Sequence, residues 1–140
     1  MDVIDRFEHF YQGLATGSLD QLADVYDEQV VFIDPVAEHG GLAALNRYFR
    51  SLMSRCQSCS FDVTTHRQDS SLAFVSWIMR FEHAQLRQGK LICVHGMSQI
   101  TIADDRIVQQ RDYYDMGAMV YENVPLLGFV VTGLRRRMAQ

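Results

Sequence analysis

Apolar residues recur at helical spacing through the first third of the chain and at every second position through most of the rest. Residues 3 to 14 place Val3, Phe7, Phe10, Tyr11 and Leu14 on one helical face, and Gly13 and Gly17 mark its end. Ser18 and Gln21, three apart, predict a capped second helix running to about residue 27. A short strand, 30 to 34, closes in Asp34-Pro35. After Gly40-Gly41, the positions Leu42, Leu45, Tyr48, Phe49, Leu52 and Met53 form the apolar face of a third helix. From Ser60 the period becomes two. Phe61, Val63 and Thr65 alternate with polar residues, and strands over 72–83, 91–102 and 106–116 follow, separated by Gly89 and by Asp104-Asp105. Helices first and strands afterwards predict an α+β fold, with helices packed on one face of a curved, mainly antiparallel sheet. No repeat or boundary divides residues 1–140, and a C-terminal extension begins near residue 117.

Of the 140 residues, 48% are hydrophobic and 21% charged, enough for one domain with a core and a cavity. The formal net charge of −4 argues against a nucleic-acid partner, because phosphate contacts need clustered Lys and Arg. The one basic cluster, Arg135-Arg136-Arg137, reads as the end of a final helix or a solvated tail. No apolar run reaches the length of a membrane span, and the charged start Met1-Asp2-Val3-Ile4-Asp5-Arg6 is unlike a signal peptide. A cytoplasmic location is the expectation. Three cysteines fit a reducing compartment, and Cys56-Gln57-Ser58-Cys59 has no second pair to complete a zinc site.

The carboxylates carry the candidate chemistry. Proline cannot continue a ladder and holds the preceding residue extended, so the strand stops where Asp34 is presented. A half-buried carboxylate there would hold its proton more tightly and could move protons near neutral pH; the competing reading is an aspartate opening a turn. Arg80 and Glu82 share a strand face with Ser76, Phe74 and Ile78, a costly placement unless each satisfies the other or a ligand. Asp112 and Tyr114 share a face of the last strand, where aspartate is disfavoured by propensity. His95 could act as an acid or base but reads more simply as a core histidine; His9, His39 and His66 read as surface residues. No dinucleotide or phosphate-binding glycine motif occurs, which predicts chemistry without a cofactor.

On these residues the chain resembles the SnoaL-like branch of the nuclear transport factor 2-like superfamily. The resemblance rests on Gly17-Ser18-Leu19-Asp20, Val31-Phe32-Ile33-Asp34-Pro35, Gly41-Leu42 to Tyr48-Phe49, and Arg106-Ile107 leading to Arg111-Asp112-Tyr113-Tyr114-Asp115. It implies a cone-shaped α+β barrel of three N-terminal helices against a strongly curved mixed sheet, commonly a homodimer through that sheet, around a pocket for a small apolar ligand. By similarity to ketosteroid isomerases, Asp34 takes the place of the general base, while Phe10, with Tyr11 beside it, and Ser98 stand where oxyanion donors would be. By similarity to limonene-type epoxide hydrolases, Asp112 is the base, Glu82 the acid and Arg80 the bridge, with Phe32 and Asp34 at the water site. The implied catalytic set is Asp34, Arg80, Glu82 and Asp112, and the implied lining is Phe10, Tyr11, Phe32, Phe74, Ile78, Ser98 and Tyr114. A non-catalytic binding or dimerising module is the alternative, with its interior filled by Phe74, Trp77 and Ile78.

Overall fold

Asp2 starts the first helix by a reciprocal cap. Its carboxylate accepts the Asp5 amide at 2.9 Å, and the Asp5 carboxylate accepts the Asp2 amide at 3.1 Å. The structure, a computed structural model, describes residues 1–14 and 19–140. The cap expected at Ser18 and the stop at Gly17 therefore lie outside the described residues. Helix α1 spans Val3–Gln12 and buries Val3, Ile4, Phe7, Phe10 and Tyr11, the face its spacing predicts.

The second helix is one turn, α2 (Leu22–Val25), because Tyr26 already enters the sheet. Strand β1 (Tyr26–Ile33) is followed by β2 (Glu38–Gly40) and by α3 (Leu42–Arg55). Gly41, at φ +90°, turns the chain into α3, a conformation that glycine adopts without a Cβ penalty. Four strands follow: β3 (Cys56–Gln68), β4 (Leu72–His83), β5 (Ile92–Ala103) and β6 (Arg106–Tyr114). The chain closes with α4 (Met116–Met119) and α5 (Leu127–Met138).

The six strands form one sheet in the order β2-β1-β6-β5-β4-β3, antiparallel except where β1 pairs with β6. The mixed, mainly antiparallel α+β class is as predicted. The cone-shaped barrel with a strongly curved sheet is not: the sheet is open, with β2 and β3 as its two edges. Three residues of β2 pair with β1 alone, far too few to close against the thirteen-residue β3. Alternation tells which face is buried; it carries no information on whether the edges meet.

Along β4 the alternation is strict. Ala73, Val75, Trp77, Met79 and Phe81 are buried, and the intervening residues are not. On β6 an extra residue opposite the Thr101–Ile102 step lets both Ile107 and Gln110 face inward, since Thr101 pairs with Gln109 and Ile102 with Ile107. The core has two parts. One packs α1, α3 and β1 around Phe7, Leu14, Leu45 and Phe49. The other gathers Cys59, Trp77, Met79, Phe81, Ile92 and Val94 at the far end of the sheet. Burial of each large side chain contributes roughly 1.5–3 kcal/mol.

Candidate functional site

Between these two cores lies a small void of about 40 Å³. Its walls are Tyr11 from α1, Phe32 and Asp34 from β1 and its end, Tyr48, Phe49 and Leu52 from α3, and Phe61, Trp77, Met79, Asp112 and Tyr114 from the sheet; Met119 of α4 completes the lining. A water needs about 10–15 Å³ of such space and a drug-sized ligand about 300–1,000 Å³. As it stands, the void has room for a few waters.

Asp112 is held by a chain of oriented hydrogen bonds. The Tyr26 hydroxyl donates to Gln110 Oε1 at 2.6 Å, so at the 3.0 Å contact between the two tyrosines the Tyr11 hydroxyl is the donor. Gln110 Nε2 donates to Asp112 Oδ1 at 2.8 Å. From the other side, Trp77 Nε1 donates to Ser98 Oγ at 3.0 Å, and Ser98 Oγ donates to Asp112 Oδ1 at 2.6 Å. Gly96 makes room for this arm, because a Cβ there would stand 2.2 Å from the indole. Both donors converge on Oδ1, which leaves Oδ2 as the oxygen available to the void.

Burial raises the Asp112 carboxyl to about pH 6; the bonds from Ser98 and Gln110 oppose the rise, and the charge of Asp34 adds to it. Desolvation and the neighbouring carboxylates also push the Tyr11 and Tyr48 hydroxyls well above the ordinary tyrosine range.

Asp34 opens a turn and also lines the void. Its Oδ1 accepts the amides of Val36 and Ala37 at 2.8 and 2.9 Å, the turn that Pro35 allows. Its Oδ2 accepts a short hydrogen bond from the Tyr48 hydroxyl, and both residues line the void. Behind Tyr48 the His39 ring stacks at a centroid distance of 4.1 Å. His39 is half-buried, not a free surface residue, while His9, His66 and also His95 are exposed.

Not every expected residue comes to this place. Tyr11, Phe32, Asp34, Asp112 and Tyr114 line the void. Phe10 lies behind it, edge-on to Tyr11 and Phe49, and Ser98 is fully buried beneath Asp112. Phe74, Ile78, Arg80 and Glu82 are on the opposite face of the sheet, because β4 turns Trp77 and Met79 inward. There Arg80 pairs with the exposed Asp62, and Glu82 accepts from Ser58 Oγ at 3.0 Å. The Arg80–Glu82–Asp112 grouping is therefore not assembled, and Phe74 and Ile78 do not fill the interior. The parity was legible, but an apolar strand with two apolar faces does not announce which one the helices cover.

Gln110, Tyr26 and Tyr48 were not anticipated. Gln110 could have been found by stepping two residues back from Asp112 on the same strand face. Tyr48 falls within the apolar face of α3, and a hydroxyl at such a position leaves no periodic signature. The Cys56 thiol is half-buried and that of Cys59 buried, where α3 meets β3, and burial pushes Cys59 up to about pH 12, which suits packing and not redox reactivity.

Residues 7–110 match the family model described as a SnoaL-like domain. No curated protein matches the chain. Among solved structures, it is similar to a candidate polyketide cyclase from Pseudomonas putida KT2440, with 19% identity, TM-score 0.74, and coverage of 89% of this chain and 98% of that one. A candidate polyketide cyclase from Xanthomonas campestris pv. campestris is similar at 14% identity and TM-score 0.73, over 84% of this chain and 93% of that one. An NTF2-like protein of unknown function from Exiguobacterium sp. 255-15 is similar at 17% identity and TM-score 0.68, over 81% and 98%. At such identities the likeness is one of fold.

Proposed function

The chain belongs to the SnoaL-like domain family, and from that premise we propose that it is a small-molecule enzyme of the isomerase or cyclase type, working by proton transfer at Asp112. The observation that supports this most is the Asp112 carboxyl itself. It is held at one oxygen by Ser98 and Gln110, lines the void, and is raised to about pH 6 by burial. A base near that value is largely ionised at neutral pH yet still basic enough to accept a proton. For a β,γ-unsaturated ketone, Asp112 takes a proton from the α-carbon, the C–H electron pair becomes a C=C bond as the C=O π pair moves to oxygen, and return of the proton to the γ-carbon re-forms C=O with the double bond shifted into conjugation. Asp34, with Tyr48 bound to it, is the second group able to handle a proton at the same void.

The void is too small for such a substrate unless its wall yields. Leu52, Met79 and Met119 are the side chains able to do so, and methionine is the most adaptable apolar residue. Epoxide hydrolysis in the manner of the limonene-type enzymes is disfavoured, since Arg80 and Glu82 lie across the sheet from Asp112. A homodimer through that outer face remains part of the proposal; Met97 and Tyr113 are exposed there.

Hydrogen exchange into carbon tests the reading without knowledge of the natural substrate. A panel of small ketones and β-dicarbonyl compounds in D2O, followed by NMR, should show protein-dependent deuteration that Asp112→Asn lowers by at least about a hundredfold. Deuteration of no panel member above buffer, or equal deuteration by the variant, would remove the proposal.

A further inference from the structure

Among the described residues, the walls of the void carry two carboxylates, Asp34 and Asp112, and no lysine, arginine or histidine. The guanidinium expected to bridge Asp112 and Glu82, that of Arg80, is engaged with Asp62 on the other face of the sheet. Negative charge in a poorly solvated space is stabilised by a proton or by a cation. Around these acids stand aromatic rings set at angles to one another. Trp77 meets Phe61 at 71° and Tyr114 at 61°, and Phe32 meets Tyr48 at 58°. An aromatic face attracts a cation that comes within about 6 Å of its centre.

We infer that this void takes the positively charged head of a small organic cation, an alkylammonium group, with its charge opposite Asp34 and Asp112 and its methyl or methylene groups against the aromatic walls. The inference rests on the reading of this void as the ligand site and adds the class of ligand. An anionic ligand would bring further negative charge beside the two carboxyl groups, and a neutral one would lack the charge attraction that a cation gains there. A bare metal ion fits poorly, because hard cations need six or more oxygen ligands, whereas the walls are mainly rings. Among the described residues no three His, Cys, Asp or Glu side chains converge on one point.

Binding should therefore compete with protonation. The titratable groups facing Asp112 are Asp34 at the end of β1, Tyr11 on α1, Tyr26 on β1, Tyr48 on α3 and Tyr114 on β6; the tyrosines stay neutral below pH 9. A quaternary ammonium probe has no titration of its own, so its pH dependence reports the protein alone.

The experiment compares choline with 3,3-dimethylbutan-1-ol, which replaces the charged nitrogen by carbon, using calorimetry and the fluorescence of Trp77, the single tryptophan of the chain. The intact protein should bind choline at least about tenfold more tightly than the alcohol at pH 8, a difference near 1.4 kcal/mol. The preference should shrink at pH 5. Asp112→Asn, whose amide oxygen can still accept from Ser98 and Gln110, should lose most of it. Tyr114→Leu, which leaves both acids in place, should weaken choline binding more than that of the alcohol. Equal affinity for the two probes, no choline binding at millimolar concentration, or a preference untouched by both variants would overturn the inference. Deuterium exchange separates it from the catalytic reading: choline preference without exchange removes catalysis and keeps the cation, whereas exchange on neutral ketones without choline preference does the reverse.

Discussion

Asp112→Asn also tests the physical state of the site, through stability alone. Burial raises this carboxyl from 3.8 to about 6 in the folded chain, so ionising it is harder there than in the unfolded chain. The sign follows from linkage: a group whose folded value is raised contributes most favourably at low pH, and that contribution is lost as pH rises from the unfolded value through the folded one. A shift of this size corresponds to about 3 kcal/mol against the folded state at neutral pH, an upper figure because the void gives Oδ2 some access to water. Asparagine keeps an oxygen for Ser98 and Gln110 and carries no charge. The variant should therefore be more stable than the parent at pH 7–8, by up to about 3 kcal/mol, with the gain fading between pH 6 and pH 4. Urea unfolding at pH 4, 5, 6 and 8, monitored by Trp77 fluorescence, measures it. A gain independent of pH, or a loss at pH 8, would refute the claim that the acid is held by burial against its own ionisation.

Other substitutions examine the supports of the site. Gly96→Ala places a Cβ 2.2 Å from the Trp77 ring; it should displace the indole, shift its emission to the red and destabilise the fold by about 1–3 kcal/mol in urea. Arg80→Gln breaks the pair with Asp62, in which the Arg80 side chain is 39% exposed and that of Asp62 70%. It should change stability by less than about 1 kcal/mol and leave the Asp112 titration, followed by carbon-detected NMR, where it was. Gly128→Ala drives a Cβ to 2.3 Å from the Glu122 carbonyl; it should loosen α5 and speed limited proteolysis near residue 126 while the sheet stays protected.

Helix α5 is where local sequence and fold diverge most. Gly128 is buried against Glu122, and Arg135 pairs with both Asp115 and Glu122, so the arginine cluster does end a helix. Phe129 and Leu126 nevertheless stand outward, beyond the family-matched region. Their outward position could not be read from residues that look apolar enough for a core. In the same way, Phe74 and Ile78 look like cavity residues until the register of β4 assigns Trp77 and Met79 to the helices.

The first and third helices and the long strands were legible because burial on one side imposes a period of 3.6 or 2, which residues express locally. The SnoaL-like fold was legible through segments such as Val31–Pro35 and Arg111–Asp115. Three things depended on contacts between distant segments. The sheet stays open, because β2 is too short to close it. Asp112 meets Ser98, Gln110 and Trp77, because β4, β5 and β6 are neighbours in a particular register. Asp112 and Asp34 are left without an arginine, because one residue of parity sends Arg80 to the opposite face. Composition specifies how many charges the chain carries; only the tertiary fold decides which of them share a space that water scarcely enters.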